Sequence, residues 1–487
     1  MPSSSAETRP RSSPGPAAAP AERRRVEALR GGPKLALAAI LAGAAALRVI
    51  GVAYAHPFSL FSPDEMSIVP RAWHMAHGGG LDPHWFDYPT LLMYVIAPFQ
   101  AWQSHPSYLT ARIVVIVLAL GAVAASWWLG RRAYGDLAGI VAGAAVAVET
   151  THVTYSRMAV TDVPLTLGVA VSLTLLVIGR IELAGLAAGI ATSFKYPGVF
   201  LLVPLVLVGW REWRRTLVGI ALSAVAFAAT SPYFIVHFSS AFARARQVQD
   251  IARHGWLGFE HDHIAPIAFT GQLWNGFGPV LLICVAGLVL ALVRRTRTDV
   301  ILASFVIVYF ADLCTLGAHF DRYTLPLVPP LAALAGRMRA LVPVTLLLLV
   351  VPLTWTIRDD ARLTKTDTRV VARRWVEHNV KGYARIAVDP SLPPFTNSYR
   401  VVKLDLPLPT EAQPDRDRNL HRLRLEDVRY IIVTGAVADR VLAAREDYPF
   451  EARFYDSLKR LKRVFYVGKD QGDLNGPWVA IYRLQTA

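Results

Sequence analysis

The 487-residue sequence is poor in charge and nearly devoid of cysteine. Only 18% of its residues are charged, against roughly 25% in an ordinary globular chain. The two cysteines, Cys284 and Cys314, both fall in apolar runs, which excludes a disulfide framework and a cysteine-based zinc site. No repeat with a period of about 20–50 residues is visible, so a solenoid is not indicated. What charge there is leans one way: 51 Lys and Arg oppose 36 Asp and Glu, giving a formal net charge of +15 and a pI near 10.0. Nucleic-acid binders gather such cations on an aqueous face. Here they sit in short stretches between apolar runs, so no nucleic-acid partner is expected. With 53% hydrophobic residues and a mean hydropathy of +0.36, the chain reads as a polytopic α-helical membrane protein.

Residues 1–33 are rich in Pro, Ala, Ser and Arg and are expected to form a disordered basic cytoplasmic tail. About 20 apolar residues cross a bilayer, and 35–55 makes a first, uncleaved span. Further runs lie at 110–130, 137–155, 164–180, 182–194, 197–210, 216–235, 272–293, 299–318, 323–338 and 340–357, which makes about eleven spans within 34–358. The segment 89–103 is short, contains Pro98, and is placed by charge parity. Short cytoplasmic loops accumulate Lys and Arg. If 89–103 lies in the interface, Arg131 with Arg132, Arg180, Arg211 with Arg214 and Arg215, Arg294 with Arg295 and Arg297, and Arg337 with Arg339 all share the side of the basic N-terminus. If it crosses, all of them lie opposite. The first arrangement is expected, with the N-terminus cytoplasmic in a multi-pass cell-membrane protein, most simply of a bacterial cytoplasmic membrane.

The outer side then receives a long first loop, 56–109, and the segment 359–487. About a third of that segment is charged, and its apolar runs shorten to strand length. Strands are expected at 384–388, 430–434 and 478–484, and helices at 367–379 and 437–446, giving a small C-terminal extracytoplasmic α/β domain.

The same topology gathers chemistry-bearing residues on the outer face: Asp64 and Glu65, His74 and His77, Asp87 and Tyr88 after His84, Arg157 and Asp162, Lys195, His261 and His263, and His319 with Arg322 and Tyr323. Arg157, Lys195 and Arg322 are cations on the side where the positive-inside bias disfavours them. Singly, each has a plain reading. Asp64 and Glu65 can be solvated loop carboxylates, Arg157 can pair with Asp162, Lys195 can snorkel to headgroups, and His261 and His263 can be ordinary loop histidines. Their joint placement suggests a site for an anionic, lipid-linked substrate with acid/base chemistry.

The ordered set Ser-Pro-Asp-Glu, Asp-Tyr-Pro-Thr-Leu, Ser-Arg-x-x-x-Thr-Asp-x-Pro, Lys-Tyr-Pro-Gly and Arg-Tyr-x-x-Pro-x-x-Pro resembles glycosyltransferase family 39. That family, of the GT-C fold, includes protein O-mannosyltransferases and lipid A aminoarabinose transferases. The resemblance covers roughly residues 35–340. It implies a polyprenyl-phosphate-linked sugar as donor and an inverting transfer on the extracytoplasmic face, with Asp64 as general base. Glu65 and Asp162 would assist catalysis. Arg157, Lys195, Arg322 and Tyr323 would bind the donor phosphate, and Asp87, Tyr88 and His319 would contact substrate or acceptor. A divalent metal (Mg, Mn or Zn) held by Asp64 and Asp162, with His261 or His263, stays open. Tyr88 stands where some relatives have a cation, which puts phosphate binding at that position in doubt. The large domain that O-mannosyltransferases carry between spans has no counterpart here, so the acceptor is left as a glycan, a lipid or a protein. The rival readings are a transporter or lipid flippase, and a scaffold that merely displays the C-terminal domain. A scaffold would not require Asp64, Asp162 and Lys195 to converge.

Overall fold

The computed structural model describes residues 20–395, 398–409 and 416–484, with side chains from residue 32 onward. The expected tail lies outside the described residues up to 19. From there a single helix, Pro20–Val49, runs through the expected boundary at 33 into the first apolar run.

The apolar runs are helical, but they are not uniform rods. Tyr108–Tyr134 is the longest of the buried helices. Ser107 caps it by accepting the Thr110 amide at 3.3 Å, and Gly135, at φ 102°, stops it in a conformation L side chains rarely adopt. Among the described residues, three helices are long and apolar enough to cross a membrane, or five if two bent pairs each count as one span. One pair, Asp136–Val148 with Thr150–Ser156, bends by 58°. The other, Ala265–Phe277 with Val280–Arg294, bends by 117° at Gly278 and Pro279. The run 272–293, expected as one span, is therefore broken near its first third. Leu91–Gln100 is a ten-residue helix, half the length a crossing needs. Elsewhere small residues let helices touch. A Cβ on Gly185 would meet the Gly219 carbonyl oxygen at 2.0 Å and one on Gly189 that of Ser223 at 2.1 Å, so Ile181–Phe194 and Trp213–Thr230 pack backbone to backbone.

The basic loops meet at one end of this bundle. Arg339 donates to the Tyr134 carbonyl at 3.1 Å, and Arg337 pairs with Asp299 at 2.7 Å. Arg215 pairs with Glu182 and donates to the Gly179 carbonyl, and Gly179 lies beside Arg297. These contacts join loops that charge parity had assigned to one side.

After the helix Val350–Arg362 the chain builds a five-stranded sheet. Its order is Arg400–Lys403, Arg385–Val388, Val428–Thr434, Val479–Arg483, Lys462–Val467; the first three are parallel and the last two antiparallel to their neighbours. Apolar clusters cover both faces, one including Val437, Val441, Phe454 and Leu458, the other Ala372 and Val376. The sheet region docks on the first loop and on the segment just before the helix Ala265–Phe277. Arg369 donates to the Leu60 carbonyl at 3.0 Å, Arg373 lies 4.2 Å over the Phe58 ring, and Tyr448 donates to Glu260 at 2.7 Å.

Candidate active site

Ser62 caps the helix Pro63–Ala76 by accepting the Asp64 amide at 3.3 Å. That places Asp64 and Glu65 in the first turn, where the helix dipole favours carboxylates. Consecutive helical residues diverge by about 100°, and here the two carboxylates go to different places. Glu65 is fully buried and saturated. Its Oε1 accepts from Arg112 Nε at 2.8 Å and from the Ala159 amide at 3.0 Å. Its Oε2 accepts from Arg112 Nη2 at 2.7 Å and from Ser59 at 2.8 Å. Expected as a catalytic partner, it instead staples the first loop to the helix Tyr108–Tyr134 and to the loop at 157–161.

Asp64 is only partly buried. Arg322 Nη1 lies 3.1 Å from its Oδ2, and the Tyr88 hydroxyl donates to the same oxygen at 3.2 Å. Among the described residues nothing donates to Oδ1. Beside this pair Lys195, at the end of the helix Ile181–Phe194, reaches Asp162 Oδ1 at 2.5 Å. Its ammonium lies 4.6 Å from the Tyr323 ring centre and 5.6 Å from that of Tyr88. Burial lowers the Lys195 pKa from its ordinary value, against the opposing pull of Asp162. The buried atoms Asp162 Oδ2 and Arg322 Nε have no hydrogen-bond partner among the described residues. Arg322 is set by its neighbour: Asp321 accepts its backbone amide at 2.9 Å and the Tyr155 hydroxyl at 2.6 Å. Asp64, Tyr88, Asp162, Lys195, Arg322 and Tyr323 thus converge from five separate parts of the chain, which a scaffold has no need of.

Other expected members lie elsewhere. Arg157 is buried against Asp360 of the helix Val350–Arg362 and donates to the Leu47 carbonyl at 2.9 Å, so it is engaged away from Asp64. Asp87 takes a two-pronged contact from Arg244, at 2.6 and 3.0 Å, on the wall of a cleft of about 370 Å³. His319 faces Asp262 at 3.1 Å, exposed His261 faces the Ala443 carbonyl at 3.2 Å, and His263 is exposed. His74 and His77 form the end of the helix Pro63–Ala76, with the His77 ring stacked on Trp73 at 4.1 Å.

The expected metal set of Asp64, Asp162, His261 and His263 does not assemble. Both carboxylates turn to the cations Lys195 and Arg322 rather than to a histidine. No step is therefore routed through a metal at Asp64. Arg112, Arg244 and Asp321 were not among the expected residues. Arg112 left one signal, since it is an ionisable residue inside an expected span.

Residues 85–316 match glycosyltransferase family 87. No protein of curated function matches the chain by sequence. Among solved structures it is similar to ArnT from Cupriavidus metallidurans in the apo state, with a TM-score of 0.57 and 14% identity over 94% of this chain and 99% of that one. It is similar to the same protein bound to undecaprenyl phosphate, with a TM-score of 0.54 and 14% identity over 94% and 98%. It is also similar to the archaeal oligosaccharyltransferase AglB from Archaeoglobus fulgidus in complex with an inhibitory peptide and a dolichol-phosphate, with a TM-score of 0.57 and 12% identity over 91% and 74%. These likenesses establish the GT-C fold.

Proposed function

We propose that this GT-C membrane glycosyltransferase moves a sugar from a polyprenyl-phosphate donor to an acceptor hydroxyl with inversion, using Asp64 as general base. The observation that carries the reading is the state of Asp64. Arg322 and Tyr88 fix one carboxylate oxygen and leave the other without a donor, beside the Lys195 ammonium, a second cation suited to a phosphate. The unengaged oxygen takes the acceptor proton, the acceptor oxygen bonds to the anomeric carbon, and the bond from that carbon to the phosphate oxygen breaks. The electron pair leaves with the phosphate, whose growing charge Lys195 and Arg322 offset, with Tyr323 walling the ammonium. Asp162 sets Lys195, and Tyr88 acts on Asp64 rather than on phosphate.

The neighbours bound to undecaprenyl phosphate and in complex with a dolichol-phosphate support a lipid-phosphate donor. The reading places about eleven spans in the membrane, the basic loops in the cytoplasm, and Asp64 with the sheet domain outside. A transporter reading has nothing specific to explain Asp64 with Arg322 at a helix end. The test is transfer in proteoliposomes with undecaprenyl-phosphate-linked sugars. Asp64→Asn, eluting and melting as the wild type does, is expected to lose about 10²–10⁴-fold in turnover. Undiminished turnover in that folded variant ends the assignment.

A further inference from the structure

Among the described residues outside the site of Asp64, one group of side chains is arranged as metal ligands are. We infer that Asp82, His84 and His237 form a zinc site that clasps the first outer loop to the start of the helix Phe238–His254. Both rings are aimed at a single carboxylate oxygen. His237 Nε2 is 2.7 Å and His84 Nδ1 3.4 Å from Asp82 Oδ2. The other oxygen, Oδ1, accepts the His84 backbone amide at 2.9 Å, which fixes the carboxylate's orientation. One ligand atom from each residue lies within 4.8 Å of the others. Three donors around a tetrahedral zinc, each at about 2.0–2.2 Å, stand about 3.3 Å apart. The His84 distance already meets this, and the His237 distance opens by about 0.6 Å when zinc takes the place of the hydrogen bond.

The donor set selects the ion. Two neutral imidazoles and one carboxylate suit zinc, whereas magnesium and calcium take oxygen donors. The His84 side chain is 79% exposed, so water completes the coordination. Asp87 and Arg244 tie the same two segments together alongside, and the cleft between them is lined by His84, Asp87, His237 and Arg244. The next residue along the loop, Tyr88, hydrogen-bonds Asp64. The zinc is thus a positioning element for the loop and takes no part in bond making.

The test needs no sugar. Full-length protein in detergent is stripped with a chelator, dialysed against zinc chloride, and assayed by elemental analysis and zinc titration. One zinc per chain is expected, with a thermal midpoint raised by the metal. His84→Ala, which removes an exposed ring and spares the core, and Asp82→Asn are each expected to weaken binding at least about tenfold and to abolish the zinc-dependent rise in midpoint. His261→Ala and His263→Ala keep both. Zinc bound as tightly by His84→Ala and Asp82→Asn as by the wild type overturns the site. So does wild-type protein that retains no zinc, or zinc displaced by equimolar magnesium. Because turnover is not measured, these outcomes are independent of the donor chemistry at Asp64.

Discussion

Replacing Glu65 by glutamine separates a staple from a catalyst. All four groups that Glu65 meets are donors: Arg112 Nε and the Ala159 amide on Oε1, Arg112 Nη2 and the Ser59 hydroxyl on Oε2. A glutamine in either flip therefore turns its NH2 toward two donors. Arg112 cannot swing away to water, because its Nη1 is also held by the Val52 and Tyr54 carbonyls at 3.0 and 3.1 Å, so its charge stays buried without a counter-ion. Ser59 offsets a little, since it already has the Ser62 carbonyl at 3.2 Å as an alternative acceptor. Breaking one partner of such a buried pair costs about 3–5 kcal/mol. Glu65→Gln is expected to lose that stability in detergent unfolding followed by tryptophan fluorescence. The double variant Glu65→Met with Arg112→Met is expected to recover part of it, since no charge is left stranded. Asp64→Asn, by contrast, keeps its melting behaviour and loses turnover. A Glu65→Gln protein as stable as the wild type but as inactive as Asp64→Asn would refute the staple and return Glu65 to the reacting groups.

Burial lowers the Lys195 pKa, so its proton is expected to leave below the usual lysine value of about 10.4. Donor KM then rises on the alkaline side, and Lys195→Arg, which stays charged, flattens that limb; the same alkaline limb in both proteins counts against Lys195 as a phosphate ligand. Arg157→Gln strands the buried carboxylate of Asp360, so it is expected to lower unfolding stability by about 3–5 kcal/mol while leaving donor KM nearly unchanged in the folded fraction. A raised KM at unchanged stability would restore Arg157 to the donor phosphate.

The helices were legible because they are written in composition. Apolar runs mark helices whatever they pack against, and the arginines between them mark one end of the bundle; contacts such as Arg339 to Tyr134 and Arg215 to Gly179 then join loops far apart in sequence. The breaks were less legible. The 117° bend at Gly278 and Pro279 interrupts no hydropathy, because an apolar run scores the same whether the helix is straight or folded back. In the sheet domain, Arg385–Val388, Val428–Thr434 and Val479–Arg483 stood out as apolar. Arg400–Lys403 and Lys462–Val467 did not, since as the outermost strands they carry charge on exposed positions. At the site, sequence order brought Asp64, Asp162, Lys195 and Arg322 to one face but could not say which cation meets which carboxylate. Arg157 shows why. Five residues from Asp162, it looked like a natural ion-pair partner for it, yet its partner is Asp360, and Asp162 takes Lys195 instead. A buried ion pair is chosen by which charge the packing strands nearby, and that depends on helices that meet only after folding. The same holds for Glu65. Its neighbour Asp64 carries the same chemistry one residue earlier, and only the 100° between them decides that one faces a partly open site and the other Arg112.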